Sequence, residues 1–236
     1  MQRLPFEVTT TNASADRKLS VPGLFRVFQD AAILDAENIG YNSYKTLGKG
    51  LLWVFSRVYV RFESMPEYLS NAVFETRPGP RKAFFFPRYA KVVSEEGKTL
   101  ARISSIWALI HEDTRKIEMH PELDSVDQLE GDELELPGRV VSAPVSFHSR
   151  RTIKYSDLDI NGHLNNVRYI EMLMDLHDVE FHKTHEIKEL LIQYESEIKP
   201  GETVELMVDE SLSYAKGVVD DRIAFEANMK FAPKNA

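Results

Sequence analysis

Residues 155–174, YSDLDINGHLNNVRYIEMLM, decide how this chain is read, because a polar turn dense in Asp, Asn, Gly and His runs there straight into an apolar helical pattern. Asp157, Asp159, Asn161 and Asn165 are turn and cap residues, each with a short side chain able to accept a hydrogen bond from a backbone N–H. Gly162 permits the positive φ that a tight turn needs. From Leu164 the apolar residues fall at Val167, Ile170 and Leu173 or Met174, the spacing of a helix face, and continue to Leu176 and Val179. The spacing predicts one helix from Asn165 to about His182. A loop arriving at a helix N-terminus presents free N–H groups and the positive end of the helix dipole, which suits an anion or a developing oxyanion. Asp159, Asn161 and His163 add a carboxylate, an amide and an imidazole within five residues. Any one alone reads as an ordinary cap or a satisfied polar group; together they mark a loop that carries chemistry.

Composition bounds the rest. With 236 residues and 43% hydrophobic content the chain can bury a sizeable core, in one large or two small domains, and reads as soluble and globular. It has no cysteine, which removes disulfides, thiolate metal sites and every cysteine nucleophile. A net charge of −8 argues against a nucleic-acid partner, and an acidic partner would need a local basic patch. Two such clusters stand out in sequence: Arg77, Arg81, Lys82, Arg88 and Lys91, and Arg150, Arg151 and Lys154 beside the polar loop. The N-terminal residues lack the apolar run of a secretory signal and carry acids that transit peptides avoid, and no run reaches the length of a membrane span. A cytoplasmic location is expected.

Working outward, residues 3–10 and 17–20 contain short β-like stretches and Val21-Pro22-Gly23 reads as a turn. Residues 24–40 read as a long helix with Leu24, Val27, Phe28, Ala31 and Leu34 on one face, stopped at Gly40 and largely surrounded by protein. Strands are expected at residues 51–63, 72–77, 83–93 and 100–111, the first by alternation of Val58, Val60 and Phe62 against Arg57, Tyr59 and Arg61. Residues 112–146 then turn polar and acidic, and 121–146 are expected to link a unit at 1–120 to a second at 147–236. The second unit repeats the order of the first: a helix, then ELLIQYESEIKPGETVELMVDE as strand, Pro-Gly turn and strand, then strands at 211–219 and 222–231. Setting Pro66 against Pro200 lays Glu63 on Glu197. These readings give an α+β fold with an internal duplication.

The run Asp159-Ile-Asn161-Gly-His163-Leu-Asn165-Asn166-Val-Arg168-Tyr169 resembles the signature of the acyl-acyl carrier protein thioesterases of plants and bacteria. The likeness extends to the Asn-Ile-Gly end of the first helix, to Leu52-Trp53-Val54 with Arg57, and to Trp107 followed by Asp113-Thr-Arg115-Lys116. It implies a tandem (double) hot-dog, each unit a long central helix wrapped by a curved antiparallel β-sheet. It also implies a catalytic set of Asp159, Asn161 and His163 with Glu197, the first unit serving the acyl chain and the second the chemistry. Plant members often carry a cysteine right after that Glu, where this chain has Ile198, and tend to carry Gln where it has Gly162. The missing plant-type leader fits a bacterial-type member.

The expected reaction is hydrolysis of fatty acyl-acyl carrier protein, with acyl-coenzyme A hydrolysis, 3-hydroxyacyl thioester dehydration and acyl binding without turnover as alternatives. No cysteine and no Gly-x-Ser-x-Gly elbow leave water as the nucleophile, held and deprotonated by Glu197 and His163. Asn161 would orient the water or the substrate carbonyl through its amide, and the first helical N–H groups would receive the oxyanion; Asp159 would orient His163 or Asn161, or attack the thioester directly. The first unit shows no Asp-x-Asn-x-His counterpart, and Phe25, Phe28, Ala32 and Trp53 are its candidate acyl-wall residues, each equally readable as core. His177, His182 and His185 with Glu186 match no closed zinc spacing, so neither metal nor cofactor is expected. The expected partner is the acyl carrier protein; a homodimer is left open.

Overall fold

The computed structural model describes residues 1–40, 49–118 and 134–234. The first half supplies β1 (Gln2–Glu7), α1 (Val21–Asn38), β2 (Leu51–Phe62), β3 (Asn71–Pro78), β4 (Phe85–Ser94) and β5 (Thr99–His111). The second supplies β6 (Ser146–Thr152), α2 (Asn166–Met174), α3 (Val179–Thr184), β7 (His185–Tyr194), β8 (Thr203–Val208), β9 (Tyr214–Val219) and β10 (Arg222–Pro233). Among the described residues ten strands form one sheet in the order β1-β3-β4-β5-β2-β7-β10-β9-β8-β6. This is the α+β, tandem hot-dog arrangement.

The order is a palindrome about the β2–β7 seam, with β1, β3, β4, β5 and β2 answered by β6, β8, β9, β10 and β7. At the seam Arg57–Arg61 pair antiparallel with Gln193–Glu189, so alternation that buries Val58 and Val60 on β2 meets buried Ile192 and Leu190 on β7. The duplication reaches single residues. The β2–β5 register slips between Phe55 and Arg57, skipping Ser56, and the β7–β10 register skips Lys188 at the matching place. One apolar core spans both halves, from Leu24 and Phe28 on α1 to Ile170 and Leu173 on α2. Arg26 Nη2 and Glu171 Oε1 join the two helices at 2.7 Å.

Several expectations need correction. Val21-Pro22-Gly23 is the first turn of α1: Ser20 caps it by accepting from Gly23 N at 2.9 Å, and proline suits a first-turn position whose N–H lacks a helical acceptor anyway. Leu34 is 43% exposed rather than part of the buried face. The helix expected from Asn165 to His182 is two helices, because Asp178 caps a second start by accepting from Phe181 N at 2.8 Å. Residues 17–20 form isolated bridges rather than a strand. Of the expected linker, 121–133 lie outside the described residues; 134–145 follow without helix or strand, held where Asn228 accepts from Val141 N and donates to Val141 O. Among the described residues no helix is long and apolar enough to cross a membrane.

Candidate active site

The loop between β6 and α2 is built by its own side chains. Asp159 Oδ1 accepts from Asn161 N at 2.9 Å and from His163 N at 3.2 Å, while Asp159 N donates to His163 O at 2.8 Å and Gly162 takes φ +76°. Upstream, the buried Asp157 accepts from Arg151 Nη2 at 2.6 Å and Lys154 N at 3.0 Å. Burial alone would raise its pKa; the Lys154 N–H, Arg151 and Arg168 outweigh that and hold it below the usual carboxylate value. Asn165 caps α2 through Val167 N at 2.9 Å and its carbonyl takes Arg168 N, so these two first-turn donors are already used.

His163 and Glu197 meet across this loop. Their Nε2 and Oε2 atoms are 3.5 Å apart, although 34 positions separate them in sequence. Glu197 lies beyond the end of β7, in the turn leading to β8, rather than on a strand as expected. Leu164 N donates to the neighbouring Ile198 O at 2.9 Å, which ties that turn to the loop. A third group joins them from the first half of the molecule: Arg115 Nη2 lies 2.8 Å from His163 Nε2 and 3.0 Å from Glu197 Oε2. Arginine can only donate, so in this contact His163 Nε2 is the acceptor. The buried Tyr169 hydroxyl has its pKa raised, first by burial and next by the Glu197 charge.

Arg115 carried no local signal as a site residue. It sits in the tight turn after β5 at φ +57°, and only the fold brings it to a loop 44 or more positions away. Asn161 is exposed and its amide reaches Asp159 Oδ2 only at 3.5 Å, leaving it free to turn toward a ligand. Asp159 spends its carboxylate on the loop backbone.

A cavity of about 750 Å³ opens beside this cluster, between the loop with the start of α2 and the outer half of α1, with Asp159, Asn161, Asn166, Asp30, Ile33 and Trp53 in its wall. A smaller apolar chamber shares Ile33, Ala36, Trp53 and Trp107 with it and continues to Ala32, Phe86 and Arg88. Ala32 and Trp53 thus line cavity space, whereas Phe25 and Phe28 are wholly buried in the core, Phe28 packed on Phe55, Phe74 and Trp107. Arg88, expected within a basic surface cluster, is instead buried: Nη1 meets Asp35 Oδ2 at 2.6 Å and Thr76 Oγ1 at 3.2 Å. In the second cluster Arg151 is bound to Asp157 and Arg150 pairs with Glu205 while Lys154 is exposed. His177 and His185 each stack on Phe181, and His182 Nε2 meets Met174 O at 2.9 Å; among the described residues no group of three His, Asp or Glu side chains is arranged to hold a metal.

Fold and site together define a double hot-dog protein with an Asp/Asn/His loop, a remote Glu that meets its His, and a partly apolar cavity walled by the Asp and Asn. The chain belongs to the acyl-ACP thioesterase family: the N-terminal domain profile of that family matches residues 2–125 and the C-terminal domain profile matches 142–230. It is 24% identical over 220 residues to a chloroplastic acyl-[acyl-carrier-protein] hydrolase of Cuphea viscosissima, covering 83% of this chain and 52% of that protein. It is 23% identical over 217 residues to the dodecanoyl-[acyl-carrier-protein] hydrolase of Cinnamomum camphora, covering 83% and 56%. The chain therefore spans about half the length of the curated relatives it matches. Among solved structures, the acyl-ACP thioesterase of Bacteroides thetaiotaomicron superposes with a TM-score of 0.89 at 24% identity, covering 98% of this chain and 97% of the other. The 12:0-ACP thioesterase of Umbellularia californica gives 0.81 at 19% identity, covering 98% and 97%.

Proposed function

We propose that this chain hydrolyses the thioester of a fatty acyl group carried on acyl carrier protein, releasing the free fatty acid. The observation that carries this reading is the convergence of Glu197 and Arg115 on His163, in the same loop whose Asp159 and Asn161 wall a cavity of about 750 Å³. The relatives' names point the same way.

In this reading the acyl chain lies along α1, past Ile33 and Trp53, and the thioester carbonyl sits at the Asp159–His163 loop. A water held by Glu197 and His163 attacks the carbonyl carbon while Glu197 takes its proton, a contribution of roughly 10²–10⁴-fold. The Asn161 amide and the Asn166 N–H receive the oxyanion, since Asn165 already occupies Val167 N and Arg168 N. Collapse of the tetrahedral intermediate breaks the carbon–sulfur bond, and the proton passes to the departing thiolate. Arg115 fixes the Glu197 carboxylate and the His163 ring. Asp159 anchors the loop rather than attacking, because both backbone donors it holds are needed for the turn.

The test is thiol release from a ladder of acyl-carrier-protein and acyl-coenzyme A substrates; with no cysteine in the chain, a thiol reagent reports product alone. Turnover that prefers carrier-protein substrates is expected. Release from coenzyme A substrates alone would reassign the carrier, and loss of water from 3-hydroxyacyl thioesters without thiol release would replace hydrolysis by dehydration.

A further inference from the structure

The duplication does not stop at the sheet. Residues 14–18 repeat the backbone of residues 159–163 bond for bond: Ser14 N donates to Lys18 O as Asp159 N does to His163 O, and Arg17 N to Ser14 O as Gly162 N does to Asp159 O. The bridge Ala13–Leu19 answers Leu158–Leu164, and Arg17 at φ +59° answers Gly162 at φ +76°. Beyond the strand, Leu19 N donates to Pro66 O as Leu164 N does to Ile198 O, which sets Met65, not Glu63, at the place of Glu197. Aligning Pro66 with Pro200 is therefore out of register by two residues, and the connections agree: residues 63–70 between β2 and β3 and 195–202 between β7 and β8 are equally long.

Behind this counterpart loop lies a cavity of about 460 Å³, within the size range of small-molecule sites. Part of its wall repeats positions of the first cavity's wall: Ser14, Asp16 and Ser20 stand where Asp159, Asn161 and Asn165 do. Met174 and Asp175 stand as far from their N-cap Asn165 as Gln29 and Asp30 stand from Ser20. Phe231 and Trp107 are each the first residue paired beyond the matching bulge. The chemistry, however, has been exchanged: Ser14 for Asp159, Asp16 for Asn161, Lys18 for His163 and Met65 for Glu197. The water-activating pair is gone. Within the loop and its facing turn two carboxylates are lost and a permanent ammonium stands in place of an imidazole, while the one added acid, Asp16, is held by Lys234 Nζ at 3.0 Å and by Ser14; of the other acids in the wall, Glu63 pairs with Arg102 at 3.1 Å and Glu186 with Lys188 at 2.5 Å, and Asp175 stands where Asp30 does in the first wall. Lys18 meets Glu67 at 3.5 Å, an exposed pair of the kind that contributes little, and its charge also acts on Asp16, which Lys234 holds more closely. Leu19, Phe62, Met65 and Met174 supply apolar wall.

We infer that this cavity is a second, non-hydrolysing acyl site, which binds a free fatty acid with its carboxylate toward Lys18 and its chain against Met65 and Met174. Loss of the acid/base pair removes turnover, and replacement of acids by an ammonium favours an anionic head over a neutral thioester. Nothing in this second cavity requires the first to hydrolyse anything, so direct binding tests it separately from turnover.

The experiment is calorimetric titration of the whole chain with dodecanoate, and with dodecan-1-ol as the uncharged control, both below their aggregation concentrations. Wild type, Met65→Trp and Lys18→Glu are compared, with Met174→Trp closing the same cavity from α2 should Met65→Trp melt early. Met65→Trp is expected to lose one equivalent of dodecanoate while thiol release on the preferred thioester stays at the wild-type rate. Lys18→Glu is expected to weaken that equivalent about tenfold for dodecanoate, the size of one ordinary polar contact, and to leave dodecanol within about twofold. Superimposable isotherms for wild type and both tryptophan variants would overturn the site. Equal weakening of acid and alcohol by Lys18→Glu would overturn the carboxylate assignment.

Discussion

At the scale of single residues, the site depends on groups that no local pattern ties together. His163 and Asp159 were legible because turn residues crowd before a helix, and Glu197 entered only through the family resemblance. Arg115 entered only as part of the family-like run Asp113-Thr-Arg115-Lys116 and with no role: its place in the site arises from a 2.8 Å approach to His163 Nε2 and a 3.0 Å approach to Glu197 Oε2. Because one guanidinium serves both partners, its loss should disorder the pair rather than the fold. Arg115→Met is expected to lower kcat at least about tenfold, the effect of one lost charge-assisted contact, with a smaller change in KM. Arg115→Lys should recover only part of it, since an ammonium cannot reproduce the planar fork. Steady-state kinetics of the two variants decide this; unchanged kcat in Arg115→Met would remove the residue from the site.

At the scale of elements, alternation located β2, whose Val58, Val60 and Phe62 are buried while Arg61 is exposed; β5 shows no such alternation, since residues 103–106 are buried in succession, and its apolar content marked it instead. Helix ends were less legible. The apolar spacing from Val167 to Val179 continues unbroken through the real end of α2, and only the Asp178 side chain, bonded to Phe181 N, shows that a new helix starts there. The two matched N-caps offer a controlled comparison. Ser20 and Asn165 each accept from a first-turn N–H at 2.9 Å, so Ser20→Ala and Asn165→Ala should each cost about 1 kcal/mol in urea unfolding. Asn165→Ala alone should also depress thioester turnover, because its helix start borders the reacting carbonyl. Equal turnover in the two variants would mean that the α2 terminus takes no part in the chemistry.

At the scale of the whole molecule, the order of elements revealed the duplication, but sequence identity could not set its register. Glu63 and Glu197 look like equivalents when prolines are aligned, yet the hydrogen bonds of Leu19 and Leu164 pair Met65 with Glu197. Backbone geometry has been kept where side chains have diverged, so the repeat is clear in bonding patterns and faint in letters. The joining of the halves through β2 and β7 was equally hidden, since antiparallel pairing between strands some 130 positions apart leaves no local trace. The joined halves bring Arg115 of one and the Glu197 turn of the other together at 3.0 Å beside His163, with only one of two related loops carrying acid and base. In the proposed mechanism Glu197 activates the water. That step is tested most directly by measuring thiol release by Glu197→Gln against wild type on the preferred acyl thioester, with the melting temperature taken alongside. A loss of roughly 10²–10⁴-fold, with melting unchanged, is the predicted result; turnover within about threefold of wild type, well short of that range, would contradict it.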